Sequence, residues 1–213
     1  MRILYIITTA DHGGAQVNLL DLLTGWPRKI ECIVATGEEG FLTEAAREVG
    51  IETRILPHLV RPVSPVKDIL AYKEMVALIR EVAPDLVHCH SSKAGLLGRL
   101  AANAAHIPVV FTVHGWAFED GISWFQRTVG RVAEFAAARI CRNQHVITVA
   151  DADRQLAIER NVMESARMTT IHNGIPDDGR QADPDFPGVA TMVMVARFSD
   201  QKDHETLFTA LAG

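Results

Sequence analysis

Short apolar runs alternate with stretches of helical periodicity along the whole chain. The runs are four to six residues long, rich in Ile and Val, and mostly without polar alternation. This pattern is typical of parallel strands that are buried on both faces of a sheet. The predicted strands are 3–7, 30–35, 51–56, 86–89, 109–113, 146–149, 168–171 and 191–195.

Between these runs, apolar residues recur with the period of an amphipathic helix. Alternation of strand and helix at this spacing predicts an α/β fold, a Rossmann-like doubly wound sheet that is mostly parallel. Gly95 and Gly98 lie in the third helical stretch, where small residues allow a helix to pack closely on a sheet. The clearest helical stretches are 15–23, 65–85 and 91–105.

A segment rich in proline, glycine and aspartate, "GIPDDGRQADPDFPGVA", runs from Gly174 to Ala190. Such a composition is typical of a connection between domains. We therefore expect a Rossmann-like domain over residues 1–176 and a linker over 177–189. Residues 190–213 are then the first strand and helix of a second domain.

Charge and composition exclude several classes of function. The net charge of −5 and the pI near 6.0 lack the basic excess that nucleic-acid binding requires. Cys32, Cys89 and Cys141 stand apart in apolar contexts, which predicts buried free thiols in a reducing, cytoplasmic compartment. The opening "MRILYIITTADHGG" indicates a strand rather than a signal peptide, and no apolar run approaches the ~20 residues of a membrane span.

Polar residues gather after the predicted strands and not before them. The segments that follow five of the strands are "TTADHGGAQ", "TGEEG", "HCHSSKAG", "TVHGWAFEDG" and "TVADAD", whereas strand starts such as "EVAPDL" are plain. Open parallel sheets bind their ligands beyond the carboxyl ends of the strands. The sequence therefore predicts a functional site at this one edge of the sheet.

Gly13 and Gly14 follow the first strand and open a helix. Their backbone amides could approach an anion at the positive end of the helix dipole, or they could form a tight turn without a ligand. The dinucleotide fingerprint G-x-G-x-x-G is absent, which argues against a nicotinamide or flavin oxidoreductase.

Three histidines follow or end the fourth and fifth strands. His114 could donate a hydrogen bond to a developing charge, or it could be structural. His88 and His90 are two residues apart and should share one face of a strand, but we find no third ligand and expect no metal. Ser91 is a predicted helix N-cap, and Lys93 in the first turn is expected to face the site.

Aromatic residues flank the segment "EDGIS" and precede a helix that carries several arginines. One interpretation is a surface that contacts a membrane or a lipid acceptor. The other is a packed helix with a solvated basic face. The residues concerned are Trp116, Phe118, Trp124, Phe125, Arg127, Arg131, Arg139 and Arg142.

Several stretches in the same order make almost the whole chain resemble the retaining glycosyltransferases of family 4, which have the GT-B fold. The matching stretches are "GGAQ", "VHCHSSKAGLLGRLAA", "VFTVHGWAF", "IHNGIP" and "VARFSDQKD". The resemblance implies two Rossmann-like domains that face each other across a cleft, of which residues 1–176 are the acceptor-side domain. It further implies that the chain ends, at Gly213, just inside a truncated donor-binding domain.

The same resemblance implies roles for individual residues. Arg197 and Lys202 correspond to the cations that neutralise the donor diphosphate, and the Gly13–Gly14 loop approaches the same phosphates. His114 corresponds to a histidine near the transferred sugar. The candidates for the acceptor or the cleft are His90, Ser91, Lys93, Trp116 and Asn173.

The implied reaction is transfer of a sugar from a nucleotide-diphosphate donor to a glycan or lipid-linked hydroxyl acceptor, with retention and with no cofactor. The implied setting is bacterial polysaccharide synthesis in the cytoplasm, with peripheral contact to the membrane. We expect the 213 residues alone to be inactive and the apolar run 191–195 to promote a homodimer. The alternative hypothesis is a non-catalytic α/β module that binds a glycan or a lipid carrier.

Overall fold

The computed structural model describes most of the chain in two compact units, Met1–Pro176 and Asp177–Gly213. We describe each unit by itself. The predicted domain and linker boundaries stay predictions. The described residues are 1–27, 29–118, 124–175, 177, 179, 188, 192–196, 198 and 203–212, without the side chain of Gln126.

The first unit contains a seven-stranded sheet with the order β3-β2-β1-β4-β5-β6-β7. Every neighbouring pair of strands is parallel, so the predicted fold class is confirmed. Seven of the eight predicted strands are present, with ends that differ by at most two residues. The strands are β1 Arg2–Ile7, β2 Glu31–Thr36, β3 Glu52–Ile55, β4 Leu86–His90, β5 Val109–Val113, β6 Gln144–Thr148 and β7 Met168–Thr170.

Helices cover both faces of this sheet. Leu19 of the first helix and Leu42 of the second pack with Tyr5 on one face. The following helices pack in a larger cluster on the other face, with Leu4, Ile6 and Phe111. The helices are α1 Gly14–Gly25, α2 Phe41–Glu48, α3 Pro65–Val82, α4 Ser92–Ala104, α5 Trp124–Ile140, α6 Asp151–Glu159 and, in the second unit, α7 His204–Ala212.

The predicted close packing of α4 on the sheet is confirmed. A Cβ atom added at Gly95 would lie 2.3 Å from the ring of Phe111, and one added at Gly98 would lie 2.5 Å from Cys89 Sγ. Both distances are far below van der Waals contact. The two glycines therefore allow α4 to pack closer to β4 and β5 than a residue with a Cβ atom would.

Arg99 of α4 is fully buried, which the sequence did not indicate. Its guanidinium donates to Glu134 Oε2 of α5 at 2.6 Å and to Gln144 Oε1 at 3.2 Å, and it lies 4.5 Å from the centre of the Phe111 ring. A buried charge is tolerated only when it is paired and hydrogen-bonded. This ion pair ties α5 to α4.

The three cysteines differ in how far their side chains are buried. Cys89 and Cys141 are buried free thiols, as predicted, whereas Cys32 is only half-buried and so corrects the prediction in part. Burial raises the pKa of Cys89 to about 12, so this thiol is unreactive at neutral pH.

The second unit differs from the sequence prediction. Residues 192–195 of the predicted eighth strand form no strand, and Thr191 lies outside the described residues. A strand requires a hydrogen-bonded neighbour, and the described residues provide none here. The side chains of Val193 and Val195 are 75% and 93% exposed. Among the described helices of both units, none has the length and apolarity needed to cross a bilayer.

The contact between Gly98 and Cys89 gives a stability prediction. Gly98→Ala forces a methyl group against Cys89 Sγ, and we expect overpacking to lower the free energy of unfolding by about 1–3 kcal/mol. Denaturant unfolding measures this loss. Cys89→Ala removes the sulfur, so the double variant should regain stability relative to the sum of the two single variants. Simple additivity of the two losses would contradict the packing argument.

Candidate functional site

The candidate site lies at the carboxyl ends of β1, β4 and β5. The chain leaves β1 toward β2 and leaves β4 in the opposite direction toward β5, so the two strands form the switch point of the sheet. In the parallel register Ile7 pairs with His90, and His90 pairs with Thr112. The three strands therefore end at nearly the same level, and the residues that follow them meet at one edge.

Two hydroxyl groups join the ends of β1 and β4. Thr8 Oγ1 and Ser91 Oγ are 2.7 Å apart, and the Thr8 amide donates to Ser91 Oγ at 3.2 Å. Thr8 Oγ1 also accepts the Ala94 amide of α4 at 3.3 Å. Ser91 is the N-cap residue of α4 but makes no side-chain cap bond, so the expected capping by its own hydroxyl is wrong. The neighbouring strand supplies the capping oxygen instead.

The backbone of Ser91 is held in a strained conformation. Its φ of 67° and ψ of 150° are rare for a residue with a side chain. The hydroxyl bonds to Thr8 hold it there, because they fix the side chain against β1. The segment after β4 thus turns into α4 without an intervening loop.

Gly13 and Gly14 form the start of α1 at the same edge. Gly13 is the N-cap residue in an extended conformation, and the first turn carries no acidic side chain. Within the part of the chain that the structure describes, a Cβ atom added at Gly14 would meet nothing within 4 Å. The positive end of α1 therefore borders open space, which is the arrangement that an anionic group requires.

Gln16 holds the loop between β1 and α1. Its Nε2 donates to the Thr9 carbonyl at 3.0 Å and to Asp11 Oδ1 at 3.1 Å. The side chain is buried. Because these bonds join residues that are close in sequence, they set the position of Gly13 and Gly14. No sequence pattern indicated this role.

Three imidazoles form a cluster on one face of β4 and β5. His90 Nδ1 and His114 Nε2 are 3.0 Å apart, and the two rings are stacked. His88 Nε2 bonds to Thr112 Oγ1 at 2.8 Å, and its ring lies 4.5 Å from that of His90. The prediction that His88 and His90 share a face is confirmed.

Burial keeps all three rings neutral. It lowers the pKa of His88 and of His114 to about 4. It also lowers the pKa of His90 well below the ordinary value, and the neighbouring imidazoles add to this shift. At neutral pH the cluster therefore offers hydrogen-bond donors and acceptors rather than positive charge.

The bond between His90 and His114 couples their tautomers. If His90 Nδ1 carries the proton, His114 accepts at Nε2 and carries its own proton at Nδ1. If His114 carries the proton at Nε2, its Nδ1 is an acceptor. Among the described residues, the buried Nε2 atom of His90 has no hydrogen-bond partner. His90 is thus placed to orient His114, and its full burial keeps it from contacting a ligand directly.

Lys93 and Trp116 are engaged in contacts within the protein. Lys93 Nζ donates to the Pro62 carbonyl and pairs with Asp68 Oδ1 at 2.7 Å, with both side chains largely buried. Its charge is therefore compensated by α3. Trp116 is buried against Phe118, and its Nε1 donates to the Asp153 carbonyl at 2.8 Å. This indole belongs to the core.

Asn173 is exposed and follows β7. Its Oδ1 accepts from Asn18 Nδ2 of α1 at 3.0 Å, so the chain after the last strand is fixed to the helix that Gly14 begins. Arg197 and Lys202 lie outside the described residues. Within the described residues, no group of three His, Cys, Asp or Glu side chains could hold a metal ion.

The neutral imidazoles predict how stability depends on pH. An unfolded histidine gains a proton below pH ~6.5, whereas folded His88 and His114 gain theirs only near pH 4, and burial lowers the pKa of His90 well below the ordinary value. Stability should therefore be complete above pH ~6.5 and fall as the pH drops toward 4. At pH 5.5 these rings should therefore add to the number of protons taken up on unfolding, measured as the slope of the unfolding free energy against pH.

His114→Asn should reduce this proton uptake by about one. An unchanged slope in the His114 variant would show that the ring is already charged in the folded state.

Comparison with known proteins assigns the chain to a family. The sequence model of the family described as Glycosyltransferase Family 4 matches residues 12–178. The UDP-Gal:alpha-D-GlcNAc-diphosphoundecaprenol alpha-1,3-galactosyltransferase of Escherichia coli is 30% identical over 174 residues, which are 76% of this chain and 44% of that protein. The chain thus spans less than half the length of this relative.

Solved structures share the fold. HepE from Anabaena, in complex with UDP-glucose, matches with a TM-score of 0.66 and 19% identity over 86% of this chain and 47% of that one. UDP-N-acetylglucosamine 2-epimerase from Rickettsia bellii matches with a TM-score of 0.58 and 13% identity over 81% and 45% of the two chains. These likenesses show the fold alone, and a fold does not decide a reaction. The family model decides membership, because it matches most of the sequence: the chain belongs to glycosyltransferase family 4.

Proposed function

We propose that this chain forms the acceptor-side domain of a transferase that moves a sugar from a nucleotide-diphosphate donor to a hydroxyl acceptor. The observation that carries this proposal is the open start of α1 at Gly14, in a member of glycosyltransferase family 4. The alternative, a binding module without chemistry, needs no open helix start facing the site edge.

Departure of the nucleoside diphosphate is the demanding step, because negative charge builds on its oxygens. Preorganised dipoles and cations stabilise such a charge better than water does. We assign the amides of Gly13 and Gly14 to this task, together with Arg197 and Lys202. The absence of an acidic residue in the first turn of α1 supports the assignment, since a carboxylate there would repel the diphosphate.

His114 is assigned to orienting the donor sugar. A ring with a pKa of about 4 is neutral at pH 7, so it acts through hydrogen bonds to sugar hydroxyls and not as a cation. His90 is the positioning residue that fixes the tautomer of His114. Ser91 lies beside them, and Asn173 lies near the start of α1, so both remain acceptor or cleft candidates.

For the acceptor we infer a glycan or a lipid-linked saccharide of bacterial polysaccharide synthesis. The Escherichia coli relative is named for transfer to a diphosphoundecaprenol-linked sugar, which supports a lipid-linked acceptor for this chain as well. Lys93 and Trp116 are internally bonded, so we give them supporting roles at the site wall. Peripheral membrane contact is part of the same proposal, and a homodimer through residues 191–195 stays a prediction.

Transfer with retention is tested on the protein that carries this chain. UDP-galactose or UDP-glucose is incubated with a lipid-linked N-acetylglucosamine acceptor, and the anomeric configuration of the product is read by NMR. We expect an α product from the α-linked donor. An inverted product would exclude retention, and acceptor binding without any transfer would favour the binding module.

Gly14→Ala tests the phosphate assignment directly. The added methyl group meets no atom of the described residues within 4 Å, so the fold should be unaffected, but it would obstruct a diphosphate at the start of α1. We expect kcat/KM for the donor to fall by about tenfold or more, the equivalent of about 1.4 kcal/mol of transition-state binding.

The matched control is Gly25→Ala at the other end of the same helix, where an added Cβ also meets nothing within 4 Å. It should leave kcat/KM unchanged. An equal loss in both variants would point to a general effect on α1, and no loss in either would remove Gly14 from the donor site.

A further inference from the structure

A cleft of about 780 Å³ lies at the amino edge of the sheet, the edge opposite the candidate functional site. It opens between the last turns of α1 and α2 and the first residues of β2 and β3. The C-cap residue of α1, Trp26, lines it, and so does Gly50, which leaves α2 with a φ of 80°. Arg28 lies outside the described residues and is not counted in the lining. A volume of this size is typical of sites that hold a small organic molecule.

The described lining of the cleft is mainly apolar. Leu23 is buried, and Ile30 and Ile51 are half-buried at the margin of the core cluster around Tyr5. Nearer the opening, the side chain of Val49 is 53% exposed. Covering apolar surface that is otherwise in contact with water is favourable, so this lining suits a largely apolar ligand.

A buried hydroxyl group fixes the indole of Trp26 in the wall of the cleft. Trp26 Nε1 donates to Tyr5 Oη at 2.7 Å. Tyr5 is fully buried, and among the described residues its hydroxyl proton has no acceptor. A buried donor without an acceptor is unfavourable. Tyr5 is therefore placed to donate to a ligand atom that lies beside Trp26.

The described lining offers no unpaired charge. At the rim, Glu31 pairs with Arg2 at 3.0 Å and Glu52 pairs with Arg54 at 2.6 Å. Burial raises the pKa of the Cys32 thiol, so this side chain is neutral at pH 7. A charged ligand would find no counter-ion in the described lining, and a neutral ligand needs none.

We propose that this cleft binds a neutral, flat aromatic molecule that stacks on Trp26 and accepts a hydrogen bond from Tyr5. The indole face favours a planar ring. The paired carboxylates favour a ligand without charge, and the Tyr5 hydroxyl favours one with an acceptor atom at its rim. The described residues of the cleft include none that we assign to the transferase site, so this inference does not depend on the proposed function.

Protection of Cys32 from alkylation tests the proposal on the purified chain. Cys89 and Cys141 are buried, so N-ethylmaleimide should modify only Cys32 in the folded protein. Quinoline is the probe, because it is flat, neutral at pH 7 and carries a ring nitrogen as acceptor. We expect it to slow the modification, with a dissociation constant on the order of 1 mM or below. Naphthalene has the same shape without the acceptor and should bind about fivefold more weakly.

Two variants assign the contacts, with protection measured in each variant as the ratio of alkylation rates without and with the probe. Tyr5→Phe should remove the preference for quinoline over naphthalene, because it removes the donor and keeps the ring. Trp26→Leu should weaken quinoline binding by about tenfold. The matched control is Trp124→Leu, at an exposed tryptophan of α5, and it should bind quinoline like the unaltered chain. Circular dichroism checks that each variant keeps the fold.

Three results would overturn the proposal. The first is an alkylation rate of Cys32 that quinoline does not change up to its solubility. The second is equal protection by quinoline and naphthalene in the unaltered chain, which would exclude the hydrogen bond from Tyr5. The third is protection that Trp26→Leu leaves intact or that Trp124→Leu reduces equally, which would place the probe outside the cleft.

Discussion

The site edge depends on the hydrogen bonds between Thr8 and Ser91. These two hydroxyl groups join the carboxyl ends of β1 and β4, the strands from which the chain departs in opposite directions. The same Thr8 oxygen caps α4 through the Ala94 amide. One pair of small side chains thus fixes the strained turn at Ser91 and the start of α4. Through the parallel register it also fixes the level at which His90 and His114 meet.

Polar groups buried on the two faces of the sheet are stabilised in different ways. On the α4 and α5 face, Arg99 and Glu134 keep opposite charges in direct contact. On the other face, His88 and His90 avoid charge, because burial favours the neutral ring. The charged pair fastens two helices together. The neutral cluster leaves the partly exposed His114 able to hydrogen-bond at the carboxyl edge of the sheet, the edge at which α1 also begins.

Most of the fold could be predicted from the sequence, because parallel strands buried on both faces leave short runs of Ile and Val. The close packing of α4 on the sheet could also be predicted, because Gly95 and Gly98 are small residues in a predicted helix. The eighth strand could not, since its apolar residues 192–195 have a strand pattern but no described neighbour to pair with. A hydrophobic pattern indicates which residues tend to be buried, whereas a strand also needs a neighbouring strand with which to form hydrogen bonds.

The candidate site was predictable in position and less so in detail. The polar residues after the strands do meet at one edge of the sheet, but Ser91 was expected to cap its own helix, and the pairing of Lys93 with Asp68 was not expected. The partners in these contacts, Thr8 and Asp68, are distant in sequence, so no local pattern reports them. The burial of Arg99 could not be predicted for a similar reason, because its partner Glu134 lies on a different helix.

The buried pair of Arg99 and Glu134 has a mechanical consequence for the molecule. Sliding α5 along α4 would pull apart opposite charges in a region that water does not reach, so the two helices should move as one rigid body. A force applied to the outer face of α5 would then be transmitted through α4 to its first turn, beside Ser91. A load on the outer face of α5 would thus shift the carboxyl edge of the sheet near Ser91 without a hinge motion.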